Sequence, residues 1–145
     1  MYGHRPVYCS TGNAMPRCWV GEHGVAVAHD CAVCQADDYY DCNIFGPDKL
    51  QPNIEPLMHK YGVDLYVSGH LHNYERSYQV FNGTFVSKSY TNPTTTISVV
   101  AGMAGDNEGL TNKWYNPEPQ WSAYRDAQLG FGRVTVTDAN TLTWE

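Results

Sequence analysis

Positive charge is scarce in this chain, cysteine is absent after Cys42, and no long apolar run occurs anywhere in its 145 residues. Nine Lys and Arg stand against fifteen Asp and Glu, for a formal net charge of −6. Without a Lys/Arg cluster, that balance excludes a nucleic-acid surface or a polybasic membrane patch. No stretch approaches the roughly 20 apolar residues of a membrane span. The N-terminus has neither the charged start nor the apolar core of a signal peptide. Internal repeats and low-complexity tracts are also missing. What is present is globular: 42% hydrophobic residues, with four tryptophans and eleven tyrosines, exclude a wholly disordered chain. The length is that of about one domain, enough to bury a core.

The five cysteines, Cys9, Cys18, Cys31, Cys34 and Cys42, all fall in the first third. Cys31-Ala-Val-Cys34 has the spacing of half a zinc knuckle, but no second Cys-x-x-Cys follows, so disulfides bracing a long loop are the better reading. An odd count leaves one thiol unpaired or paired outside the chain. Asn82-Gly83-Thr84 is an N-glycosylation sequon. Disulfides and a glycan would both suit an oxidising compartment, either outside the cell or in a vacuolar-lysosomal lumen.

The richest stretch runs from Tyr61 to Arg76. Leu65-Tyr66-Val67 is a short apolar run of strand formers between Gly62 and Gly69. Gly69 can turn the chain, and His70 and His72 follow. In extended backbone an i, i+2 pair puts both imidazoles on one side, within reach of one metal or two neighbouring metals. Ligand sites in open α/β sheets gather at such strand ends.

Upstream, residues 2–9 read as a strand end, with Pro6 ending any central strand and His4 at the terminus. A strand end so close to Met1 suggests a chain that continues a longer domain. Residues 10 to about 50 read as the Cys-braced loop. A helix is expected from an N-cap at Asn53, with Pro56 in its first turn and Gly62 past its end, burying a stripe of Ile54, Leu57, Met58 and Tyr61. His59 would be a surface residue of that helix. Ser77 to Phe81, Asn82-Gly83 and Phe85-Val86 predict a hairpin, Thr96 to Ala101 a strand, and Gly102 to Gln120 a loop. Alternation around a turn from Gly132 to Trp144 predicts a terminal hairpin.

These residues resemble a known family. Gly3-His4-Arg5-Pro6 with Tyr8-Cys9-Ser10, then Tyr61-Gly62-Val63-Asp64 leading to Gly69-His70-Leu71-His72-Asn73-Tyr74-Glu75-Arg76, is similar to the C-terminal half of the purple acid phosphatase catalytic domain. The likeness continues through Tyr90-Thr91-Asn92-Pro93, Ala104 to Leu110, Trp121-Ser122-Ala123 and Gly130-Phe131-Gly132-Arg133. It implies an α/β fold, part of the calcineurin-like metallophosphoesterase β-sandwich flanked by helices, with a β-rich C-terminal half and a terminal hairpin. The whole of 1–145 would then be the C-terminal portion of such a domain.

The resemblance further implies a dinuclear centre, iron with zinc, manganese or a second iron, that hydrolyses phosphate monoesters by in-line attack of an activated hydroxide. His4 and His70 would ligate the divalent metal and His72 the ferric one. Glu75 and Arg76 would brace the site. His23, or His29 beyond it, is the candidate proton donor to the leaving alkoxide. The motifs that supply the other ligands, Gly-Asp-x-Gly, Gly-Asp-x-x-Tyr and Gly-Asn-His-Glu, are missing from the sequence. Gly105-Asp106-Asn107-Glu108 resembles the last by eye but belongs to a different loop, and is set aside as a ligand motif. A second reading therefore stands beside the enzyme: a noncatalytic fragment or binding module that keeps the scaffold and a vestigial metal site.

Overall fold

The computed structural model describes residues 1–11, 50–105 and 107–145. The Cys-braced loop, the half zinc knuckle, His23 and His29 lie outside the described residues, as does Asp106. Cys9 is disulfide-bonded.

A five-stranded mixed sheet forms the body, in the order β1-β2-β6-β3-β7. Its strands are β1 (Tyr2–Gly3), β2 (Leu65–Ser68), β3 (Tyr74–Ser77), β6 (Ile97–Ala101) and β7 (Ser122–Asp126). β1, β2 and β6 are parallel, whereas β3 runs antiparallel to both β6 and β7. Two hairpins complete it: β4 (Gln79–Phe81) with β5 (Thr84–Ser87), and β8 (Val134–Asp138) with β9 (Thr141–Trp144). The first turns on Asn82 and Gly83, at φ of 47° and 74°, the left-handed pair that an Asn-Gly hairpin turn requires.

The helix, α1, spans Leu50–Lys60. It contains Asn53 rather than being capped by it: Pro52 falls in the first turn, where proline is accommodated, Pro56 lies inside the helix, and Leu50 and Ile54 pack against the core. Its buried face is Gln51, Glu55 and Met58, while Leu57 and Tyr61 are exposed, so the expected apolar stripe is half wrong. Polar residues can face inward here because they satisfy one another. Tyr8 donates to Glu55 at 2.5 Å, Gln51 donates to the same carboxylate, and the Asn82 N–H reaches it at 3.0 Å. The end matches expectation: Val63 N–H bonds the Met58 carbonyl and Gly62 N–H the His59 carbonyl, a Schellman cap with Gly62 at φ 61°.

Val7, Tyr8, Cys9, Met58, Tyr66, Leu71, Val80, Val100, Tyr115 and Trp121 form the core. Strands β3 and β7 escape sequence reading because their inward residues are polar. Glu75 is 2% exposed and accepts from Ser10 N–H and Oγ, both at 2.6 Å, and from Ser122 Oγ at 2.8 Å. Ser77 therefore belongs to the main sheet and not to the hairpin where its sequence placed it. The terminal hairpin stands largely exposed, tied back by Trp144 Nε1 donating to Tyr74 Oη at 2.8 Å.

Candidate metal centre

Three sequence segments meet where the parallel strands end. His4 follows β1, and the turn from Gly69 to Asn73 joins β2 to β3. Parallel pairing of β1 with β2 sets Gly3 opposite Ser68, and Gly69 N–H then bonds the His4 carbonyl at 3.2 Å. That register brings the first histidine to the pair downstream.

The pair is not extended, as the sequence suggested. Leu71 N–H bonds the Gly69 carbonyl at 2.8 Å, and Asn73 N–H bonds the Leu71 carbonyl at 2.9 Å, so the chain makes two tight turns in succession. The left-handed residue is His70 itself, at φ 64°, and not Gly69. A non-glycine residue held there stores strain of roughly 1–3 kcal/mol, the kind that gathers at functional sites. Gly102 makes the packing possible, since a Cβ at that position would lie 1.9 Å from the Leu71 carbonyl oxygen.

His70 Nδ1 faces His4 Nε2 at 3.2 Å, and the rings meet edge to face. Two nitrogens ligating one metal at about 2.0–2.1 Å sit about 3–3.4 Å apart, so this edge fits a shared ion. Arg5 Nη1 lies 2.8 Å from His70 Nε2. Partial burial, then the Arg5 guanidinium, lowers the His70 imidazole from its ordinary value. His72 is oriented differently. Its Nδ1 donates to the Gly109 carbonyl at 3.0 Å, which leaves the Nε2 lone pair free, the arrangement found behind most metal-binding histidines.

The loop from 107 to 111, part of which (Asn107-Glu108) belongs to the string set aside as a ligand motif, packs beside the histidine turn. Thr111 N–H bonds the His72 carbonyl at 2.9 Å, buried Asn73 donates to the Thr111 carbonyl at 3.1 Å, and Glu108 Oε2 stands 4.0 Å from His72 Nε2. Sequence reading missed Arg5, Asn73 and Gly109 as neighbours of the histidines, although Arg5 and Asn73 each adjoin one. Arg76 packs over the Tyr90 ring, 5.2 Å from its centre, and Glu75 serves the core. Among the described residues, no three of His, Cys, Asp and Glu stand close enough together to hold a metal ion. His4 and His70 meet as a pair, and with His72 they do not make up such a group.

Residues 95–145 match a family model described as iron/zinc purple acid phosphatase-like protein C. Mouse acid phosphatase type 7 is 37% identical over 145 residues, an alignment that covers 97% of this chain and 28% of the relative. Purple acid phosphatase 18 of Arabidopsis thaliana is 33% identical over 97 residues, covering 67% of this chain and 21% of the relative. The structure of purple acid phosphatase PPD1 from yellow lupin seeds superposes with a TM-score of 0.64 at 24% identity, over 99% of this chain and 21% of that one, so the fold is shared. The chain accordingly spans under a third of the relatives named here. Sequence, family model and fold agree, and the chain belongs to the purple acid phosphatase family.

Proposed function

We propose that this chain forms the C-terminal portion of a phosphomonoesterase catalytic domain and contributes His4, His70 and His72 to its dinuclear centre. His4 Nε2 and His70 Nδ1 would hold the divalent ion and His72 Nε2 the ferric one, with zinc, manganese or iron as the divalent choice. The observation that carries this reading is the 3.2 Å approach of the His4 and His70 nitrogens, made by residues 66 apart in sequence. With both ions bound, the centre would supply Lewis-acid activation of water and neutralise charge at phosphorus.

The chain's own residues do the positioning. The Gly109 carbonyl fixes the His72 tautomer, Asn73 and Thr111 lock the 107–111 loop onto the histidine turn, and the strained φ of His70 aims its ring at His4. A proton donor for the leaving alkoxide is assigned to His23. A luminal or secreted setting and a glycan on Asn82 fit the cysteines and the exposed hairpin turn.

The scarcity of clustered donors among the described residues favours a second reading, a noncatalytic module with a vestigial site. Hydrolysis of p-nitrophenyl phosphate, with iron and zinc or manganese supplied, by a relative's catalytic domain that carries this chain in place of its own C-terminal portion separates the two. The enzyme reading expects turnover that His70→Ala abolishes. Zinc binding without turnover supports the module, and turnover that survives His70→Ala contradicts the metal assignment.

A further inference from the structure

Asn82-Gly83 is the one Asn-Gly pair in the sequence, and Asn82 is exposed in the turn of the β4–β5 hairpin. An asparagine side-chain amide can be attacked by the backbone nitrogen of the next residue, and glycine has no side chain to shield that nitrogen. Asn92 and Asn116 precede prolines, which have no N–H to give up. At Asn82 the reaction balances within the turn. Gly83 N loses its proton to solvent and bonds Asn82 Cγ, the Cγ–Nδ2 bond breaks, and the amide nitrogen takes up a proton and leaves as ammonia. Water then opens the resulting five-membered imide to aspartate or isoaspartate.

The fold holds both amides of this turn. Asn82 N–H donates to Glu55 Oε2 at 3.0 Å, and Gly83 N–H donates to Tyr8 Oη at 3.0 Å. Tyr8 and Glu55 are 3% and 5% exposed, and Tyr8 gives its own proton to Glu55 Oε1 at 2.5 Å. Its oxygen is left to accept, so the attacking nitrogen is tied to a buried partner. Burial, then the Glu55 charge, pushes the Tyr8 hydroxyl up, so it does not ionise to take the Gly83 proton.

We propose that Asn82 is a deamidation site whose conversion the Tyr8–Glu55 pair restrains by holding the Gly83 nitrogen. Conversion would change the fold locally, because it places a second carboxylate beside Glu55, and the like charges oppose the contact that fastens the hairpin to α1. It also removes the amide on which a glycan at Asn82 would be built, so the two modifications exclude each other at one side chain. None of this depends on the histidine turn.

Peptide mapping by mass spectrometry of the unglycosylated chain, held at neutral pH, reads conversion at Asn82 as aspartate and isoaspartate. In the urea-unfolded chain Asn82 is expected to convert ahead of the other asparagines, and in the folded chain more slowly. Tyr8→Phe removes the acceptor and is expected to speed conversion in the folded chain by about two- to tenfold, the rate equivalent of one neutral hydrogen bond, with no change in urea. Val100→Ala truncates the same core without touching the turn, and its folded rate is expected to match the wild type. An unfolded chain in which Asn82 stays intact overturns the site. Equal rates in folded and unfolded wild type, equal folded rates for wild type and Tyr8→Phe, or equal acceleration by Val100→Ala would each overturn the restraint by Tyr8.

Discussion

His70 Nδ1 and His4 Nε2 face each other at 3.2 Å across a separation of 66 residues, and the left-handed backbone of His70 is what turns the ring to that position. Removing the ring therefore has two separable effects. His70→Gly and His70→Ala both delete the imidazole, but only glycine relaxes at φ 64°. His70→Gly is expected to be the more stable of the two by about 1 kcal/mol in urea unfolding. Equal stability would mean that the turn opens when the ring is lost.

Gly102 approaches the Leu71 carbonyl so closely that no side chain fits. Because the obstructing atom is backbone, Gly102→Ala must displace the histidine turn. The expected cost is about 1–3 kcal/mol, as for other overpacked sites. Amide chemical shifts should move from Gly69 to Asn73, with the terminal hairpin unaffected.

Glu75 carries a pH signature. Burial holds its carboxyl above the ordinary value of 4.5, against the pull of its Ser10 and Ser122 donors and Arg125. Between 4.5 and the raised folded value, the folded chain keeps a proton that the unfolded chain releases. The group's contribution is therefore most favourable below 4.5 and is lost as pH rises through that window. Glu75→Gln removes the titration, so the stability of the wild type relative to the variant should improve as pH falls from 7 toward 4.5. Chemical denaturation of both proteins across that range checks the sign.

Trp144 anchors an otherwise exposed hairpin through Tyr74. Trp144→Ala should speed amide exchange in β8 and β9, while β2, β3 and β6 keep their protection. Uniform loss of protection would show that the hairpin supports the whole sheet.

The strand ends that carry the candidate site were legible in sequence where glycine punctuation and histidine spacing coincide. Gly69-His70-Leu71-His72 marked the end of β2, and His4 the end of β1. Asn82-Gly83, the alternation of Val134–Asp138 with Thr141–Trp144, and Gly62 as the helix cap were equally readable. Strands β3 and β7 were not, because Glu75, Ser77 and Ser122 are polar residues made burialworthy only by partners far along the chain. The same reason hid Gln51 and Glu55 on the inner face of α1. The turn at His70 was hidden too, since a glycine beside it offered the easier explanation. Arg5 could be read as part of a motif, but its contact with His70 depends on the pairing of β1 with β2.

The central claim is that His4, His70 and His72 form one metal-binding rim, and zinc titration followed through the histidine ring nitrogens tests it most directly. His59, packed 4.7 Å from the Phe81 ring on α1, serves as the internal control. The account predicts that the His4 and His70 nitrogens shift together as zinc is added, with His72 following when iron is supplied, while those of His59 stay fixed. Shifts confined to His59, or a rim that zinc leaves untouched, would contradict it.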